Sequence, residues 1–166
     1  MNKLYLIVAL LFLATNNINS QNLKDFSSVK TKTSDVKIPG DWTQLNTMDD
    51  SGQTCLKNTD GVIIAIAQNP KKAYSFFKSN TSDFENVKEF YKWDADYRKE
   101  NNFKIDKIKE NAKEEYVIWK YNDGKLDNVF LFGSSKNNFL NLLVYTDIWT
   151  ESEKILFLEN LYKLNK

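Results

Sequence analysis

The side chains through which this 166-residue sequence could do chemistry are carboxylates and one cysteine, because it contains no histidine. The missing imidazole excludes Ser-His and Cys-His nucleophile pairs, histidine-based zinc sites and the usual general base near neutral pH. One cysteine, Cys55, excludes thiolate clusters, and five glycines provide neither a phosphate-binding loop nor a dinucleotide fingerprint. Any catalysis would therefore have to come from acidic side chains, alone or with a metal.

Three groups of acidic residues are spaced closely enough to be considered for such chemistry. Asp49-Asp50-Ser51-Gly52 lacks the alternating acids and the distant bidentate Glu of a calcium loop, so we interpret it as a turn. Asp94 and Asp96 are predicted on a helix, where a spacing of two puts carboxylates on different faces, and we interpret them as solvated charges. Glu114-Glu115 precedes a predicted strand and is interpreted as the polar end of a hairpin. We predict a protein that is not an enzyme and has no metal or cofactor; a carboxylate- or metal-dependent enzyme is an alternative.

The first twenty residues have the three-part pattern of a secretory signal peptide. Lys3 gives a basic start, residues 4–14 are apolar, and Ser20 is a small residue at the expected cleavage site. The apolar run is far shorter than the roughly 20 residues of a spanning helix, and no cysteine near the cut supports lipid attachment. We predict a cleaved signal peptide over residues 1–20, a secreted or periplasmic location and no membrane insertion afterwards. An uncleaved signal anchor is the alternative.

The remaining residues carry balanced charge. The whole sequence has 23 basic and 22 acidic residues, and loss of Lys3 with the signal leaves 22 of each. A neutral chain argues against nucleic acid, which requires a basic surface, and against electrostatic docking to an anionic membrane. The length favours one domain, which we expect to be a monomer. Cys55 cannot form an internal disulfide and is expected to be buried; an intermolecular bridge is the alternative.

The domain boundary is predicted at a Pro-Gly turn. Residues 21–36 are polar, without sustained periodicity, and are interpreted as a leader. Pro39-Gly40 ends this leader, and Trp42 is the first large side chain that can dock on a core. We therefore predict a single domain over residues 37–166.

Hydrophobic patterning then predicts seven strands and two helices in the order β-β-β-α-β-β-β-β-α. Capping boxes at Ser82 and Thr150 mark the starts of the helices, and Asn122-Asp123-Gly124 is a hairpin turn. The first helix has a broad apolar face, predicted to be buried, that comprises Phe84, Val87, Phe90, Tyr91, Trp93 and Tyr97. The last three strands are apolar on both faces, which requires cover on both sides of the sheet. We predict an α+β fold, a mainly antiparallel sheet of about six to seven strands with a helix on each face.

This order of elements, with the entry "IPGDW", resembles the PsbP/Mog1-like fold, an α/β/α sandwich of small secreted or periplasmic domains. Pro39, Gly40, Asp41 and Trp42 match the opening of that family, and the resemblance extends over about residues 37–165. It implies a binding subunit, a regulator, an adaptor or an immunity-type partner of secreted proteins. The family motif is structural, so the resemblance implies no functional residue. The signal peptide and the Asn/Lys-rich composition are also similar to exported proteins of Bacteroidetes.

Aromatic residues are the candidate contacts for a protein partner. Tyr74, Phe76 and Phe77 lie close together in a predicted loop over residues 69–81, where they could either cover an edge of the core or contact a partner. Trp42 at the domain entry is the fourth candidate, because Trp and Tyr are favoured interface anchors. The sequence thus predicts an exported, noncatalytic protein-binding domain. The alternative in another class is a carrier of a small apolar ligand between sheet and helix, although the aromatic residues could simply fill the core.

Overall fold

A computed structural model describes residues 26–166 of the chain. The predicted signal peptide, residues 1–20, lies outside the described residues. The elements follow the predicted order from β3 onwards, with a short 3₁₀ turn after β5: β1 Phe26–Lys30, β2 Asp35–Pro39, β3 Thr43–Thr47, β4 Thr54–Lys57, β5 Ile63–Pro70, α1 Asp83–Glu100, β6 Ile105–Asn111, β7 Tyr116–Asn122, β8 Asp127–Ser135, β9 Asn138–Tyr145 and α2 Glu151–Asn165. Neither described helix has the length and apolar character of a membrane span.

Strands β3 to β9 form one antiparallel sheet in the order β3-β4-β5-β9-β8-β7-β6. The seven strands and two helices confirm the predicted α+β class. Turn chemistry sets the hairpin connections: Gly61 and Gly124 have φ values of +93° and +90°, a region that glycine enters without steric cost. Lys136, in the β8–β9 turn, adopts a left-handed φ of 53° without being glycine.

The core consists of two clusters of side chains that alternate along the strands. Tyr116 and Ile118 of β7 pack in one cluster with Leu158 of α2, which we call the α2-side cluster. Val117 and Trp119 pack with Val87 and Phe90 of α1 in the α1-side cluster. Because successive side chains of a strand point to opposite sides of the sheet, the central strands are buried on both sides.

Strands β1 and β2 lie in residues 26–39, a range that includes the described part of the predicted leader. Strands β1 and β2 pair as an antiparallel hairpin, and Val29, Val36 and Ile38 are buried in the α2-side cluster. The Asn165 side chain joins this hairpin to the end of α2, since its amide donates to the Lys37 carbonyl and accepts from the Lys37 N–H, both at 2.8 Å. Three buried apolar side chains anchor the β1–β2 hairpin against α2, although most residues of this segment are polar.

Both predicted helix starts are present. The Ser82 hydroxyl accepts the Glu85 N–H, and Thr150 forms a complete capping box with Glu153. Trp42 docks on the α2-side cluster as predicted, with its ring centroid 5.7 Å from that of Phe157 and its indole N–H donated to the Pro39 carbonyl.

Candidate functional site

A cleft of about 700 Å³ opens between α1 and the turn that joins β3 to β4. It exists because α1 packs chiefly against β7 and β8, towards one end of the sheet. The cleft is bounded by residues of α1, by residues 50–53 of the turn, by the end of β5 and by Asn141 in the middle of β9. Its volume lies within the range of roughly 300–1,000 Å³ that is usual for ligand pockets.

Two aromatic side chains of α1 stand at this cleft with much of their surface in solvent. Trp93 is 52% exposed and Tyr97, one helical turn further on, is 56% exposed. The prediction of a broad buried face on α1 is therefore wrong for these two residues. The sheet lies under Val87 and Phe90, which are buried, whereas Trp93 and Tyr97 lie towards the open side of the helix.

Asp94 lies between these two aromatic residues in sequence and is only 9% exposed. The prediction of solvated charges is wrong for this carboxylate. Burial raises the pKa of Asp94, and the positive charge of Arg98 opposes that effect. The Arg98 Nε lies 3.5 Å from the Asp94 Oδ1 and forms no hydrogen bond within residues 26–166.

The Arg98 guanidinium is held by aromatic rings as well as by Asp94. Its central carbon lies 4.9 Å from the ring centroid of Tyr121 and 5.5 Å from that of Tyr97. Cation–π contacts of this kind orient the planar guanidinium over ring faces. The Arg98 guanidinium thus contacts both aromatic rings and lies beside Asp94, whose Oδ1 is 3.5 Å from the Nε.

Amide side chains form the opposite wall of the cleft. Asn69 of β5 is 8% exposed, and its Nδ2 donates to the Ser51 carbonyl at 2.9 Å and to the Tyr74 hydroxyl at 3.1 Å. These bonds fix the orientation of the amide, and its Oδ1 has no hydrogen-bond partner among the described residues. Gln53 donates to the Asn141 Oδ1 at 3.4 Å, which links the β3–β4 turn to β9.

Three of the four predicted contact residues lie together beside this cleft. Tyr74, Phe76 and Phe77 are partly buried and pack on the α1-side cluster. The ring centroids of Tyr74 and Phe76 each lie 5.9 Å from that of Trp93. Tyr74 also lines the cleft, and burial raises its pKa, with Asp94 raising it further and the Asn69 hydrogen bond opposing.

The fourth predicted contact residue, Trp42, is not brought into this group. It packs on the α2-side cluster next to Phe157, and a further aromatic contact joins Phe157 to Trp149 at 5.1 Å. Cys55 was expected to be buried, but it is partly exposed. The partial burial of its side chain raises the pKa of the thiol.

The residues that sequence reasoning missed are Trp93, Asp94, Tyr97 and Asn69. A signal for Asp94 was available, because it follows Val87 and Phe90 at helical spacing and thus continues a buried row with a carboxylate. Asn69 follows a continuous apolar strand directly, which offers a weaker signal. Within residues 26–166 no group of three or more cysteine, aspartate or glutamate side chains is placed to hold a metal ion.

Comparison with known proteins supplies no relative from which a function could be transferred. No protein-family model matches the chain, and no curated protein matches it either. The cleft and its side chains are therefore the basis for assigning a function.

Proposed function

We propose that the chain is an exported, noncatalytic binding domain that holds a protein partner in the cleft beside α1. The observation that carries this proposal is the exposure of Trp93 and Tyr97 at the cleft, next to the inward-facing polar groups of Asp94 and Asn69. Large aromatic side chains that bury much area with few torsions are the usual anchors of protein interfaces. Buried polar groups beside them supply the orientation that apolar contact lacks.

The architecture proposed for this domain is the three-layer sandwich of the PsbP/Mog1-like type. Its support is the division of the core into two clusters, one with α1 and one with α2, together with the entry at Pro39-Gly40 and Trp42. Export is proposed from the signal-peptide pattern of residues 1–20. In such a domain the cleft would face partners that are themselves outside the cytoplasm.

Two functions of other classes are supported less well by the same residues. A carrier of an apolar ligand would need an apolar cavity, whereas Asp94, Asn69, Gln53 and Asn141 line this cleft. A carboxylate-dependent enzyme is favoured by one observation, the raised pKa of Asp94 in a cleft. A hydrolase panel that returns activity in the wild type and none in the variant Asp94→Asn would move the assignment to that class.

Site-specific photo-crosslinking tests the binding proposal directly. A photoreactive phenylalanine analogue would replace Trp93 in one variant and Leu156 in a control, since Leu156 is 59% exposed on the other helix. We expect the same adduct to recur at position 93 and to be absent at position 156. The crosslinked protein would be purified and titrated against the wild type, Trp93→Ala and Leu156→Ala.

The titration decides the outcome. Removal of an interface anchor typically costs about 2 kcal/mol or more of binding free energy. Trp93→Ala should therefore raise the dissociation constant by about 30-fold. Leu156→Ala should leave it unchanged. Equal crosslinking at both positions, or equal affinity of the wild type and Trp93→Ala, would refute the assignment of the cleft as the binding surface.

A further inference from the structure

We infer that the partner segment held in the cleft presents a lysine or arginine side chain, whose cationic group lies beside Asp94. This inference rests on the proposed function and specifies the chemistry of the partner. Its basis is charge complementarity, together with a buried acceptor that no group of the described chain satisfies.

The charge of the lining is the first observation. Four acidic residues and two basic ones face the cleft, while the whole chain carries a formal charge of only +1. The acidic residues are Asp50, Asp94, Asp96 and Glu100, and the basic ones are Lys32 and Arg98. A concave surface with excess negative charge attracts cations, because its low-dielectric walls concentrate the field.

Hydrogen-bonding capacity is the second observation. The Nδ2 of Asn69 is occupied by the Ser51 carbonyl and the Tyr74 hydroxyl, so the buried Oδ1 is an acceptor without a donor in residues 26–166. Asp94 adds a second, negatively charged acceptor, whose Oδ1 lies 3.5 Å from the Arg98 Nε. A buried acceptor left without a donor destabilises the folded chain, because its hydration is lost and not replaced. A ligand that donates hydrogen bonds would recover that free energy.

A lysine of the chain itself indicates that an ammonium group fits at this end of the cleft. Lys32, in the β1–β2 turn, places its Nζ 3.4 Å from the Asp49 carbonyl oxygen. A Cβ at Gly52 would lie 3.1 Å both from the Lys32 Nζ and from the Asn69 Oδ1. The Lys32 side chain is exposed and lines the cleft, so its positive charge opposes the approach of another cation.

Aromatic rings complete a site suited to a cation. Tyr74, Trp93 and Tyr97 line the cleft together with Asp94, and the face of an aromatic ring attracts a cation, most strongly when the cation is desolvated. An anionic or purely apolar segment would gain nothing from these carboxylates. The lining therefore favours a basic side chain over an acidic or an aliphatic one.

Blocked tripeptides provide the probe, because the partner is unidentified. The central residue would be lysine, arginine, acetyl-lysine or norleucine, and binding would be followed by the Trp93 indole N–H signal in NMR titrations. We expect saturable shifts with the lysine or arginine peptide, and at least tenfold weaker binding of the acetyl-lysine and norleucine peptides. Free lysine is titrated as the last ligand. If free lysine binds more tightly than the blocked lysine peptide, the cation is not recognised as part of a protein segment.

Two variants with opposite expected effects separate charge recognition from damage to the fold. Asp94→Asn, which keeps the shape of the side chain, should lower the affinity for the lysine peptide at least fivefold. Lys32→Met should raise that affinity at least twofold. No change in either variant, or equal binding of charged and neutral peptides, overturns the inference. The proposed function has a separate test, because it is refuted if no partner crosslinks at position 93. If the partner still crosslinks at position 93 in the Asp94→Asn variant and binds it with unchanged affinity, the binding surface is retained and only its preference for a cation is refuted.

Discussion

Replacing Gly133 by alanine should destabilise the domain strongly, although the change adds only one methyl group. Gly133 lies in β8, between Tyr116 of β7 and Leu140 of β9. A Cβ there would lie 2.3 Å from Cε2 of Tyr162, whose ring packs over the strand from α2. Carbon atoms in contact are separated by about 3.5–4.0 Å, so the ring would have to move by more than 1 Å.

The tyrosine ring is not free to make that movement. Its hydroxyl lies 2.7 Å from the Ser134 carbonyl oxygen and 2.8 Å from that of Glu114, so displacement lengthens buried hydrogen bonds. Overpacking costs about 1–3 kcal/mol, and a lost hydrogen bond adds about 1 kcal/mol. We expect the free energy of unfolding to fall by about 2–4 kcal/mol, a large part of the 5–15 kcal/mol typical of a domain.

Urea unfolding followed by tryptophan fluorescence measures this effect. With a slope of about 2 kcal/mol per molar urea, the midpoint should fall by about 1–2 M. The matched control is the same substitution in a Tyr162→Leu background, where the ring atoms that clash are absent and Gly133→Ala should cost less than about 1 kcal/mol. A cost below about 1 kcal/mol with Tyr162 present, or equal costs in the two backgrounds, would show that the ring does not determine the need for glycine.

Three further predictions concern other contacts of the fold. Lys71→Met should lower the free energy of unfolding by about 1–3 kcal/mol, since buried Lys71 donates to Asp83 at 2.6 Å and to the Lys136 carbonyl at 2.7 Å; Lys72→Met, at the exposed neighbour, should change it by less than about 0.5 kcal/mol in the same urea titration. Thr150→Ala removes the capping box of α2 and should cost about 1 kcal/mol, whereas Ser152→Ala in the exposed first turn should not; equal melting temperatures for the two variants would contradict the role of the cap. Asp94→Asn should stabilise the protein near neutral pH, because burial raises the pKa of Asp94. The ionised carboxylate therefore destabilises the fold, and this destabilisation grows as the pH rises from the pKa of Asp94 in the unfolded chain through its pKa in the folded chain. That gain should vanish in acid below the ordinary pKa of aspartate, and a constant difference across a series of thermal melts at different pH would disprove the burial cost.

Strong local signals made most of the fold predictable from sequence. Glycine at the positive-φ positions 61 and 124, two helix caps and strands apolar on both faces each define an element without reference to its neighbours. The β1–β2 hairpin gave no comparable signal, because only Val29, Val36 and Ile38 face inward among polar residues. Its place depends on α2, more than a hundred residues later in the chain.

The cleft was not predicted, for a related reason. Helical periodicity places Trp93 and Tyr97 near the apolar row of α1, but it does not say how much of the sheet the helix covers. That coverage depends on how α1 packs across β7 and β8, which is a tertiary property. The loop aromatics Tyr74, Phe76 and Phe77 were recognised from composition, yet their position beside Trp93 depends on the same packing.

The hydrogen bonds between Asn165 and Lys37 have a consequence for the order of folding. They join residues 128 positions apart, and bringing such distant points of a flexible chain together costs about 4 kcal/mol of entropy, apart from a constant. Until α2 has formed, the β1–β2 hairpin lacks the helix against which its apolar side chains pack. Docking of the hairpin therefore has to follow the formation of α2, and deletion of residues 163–166 should expose strands β1 and β2 to proteases.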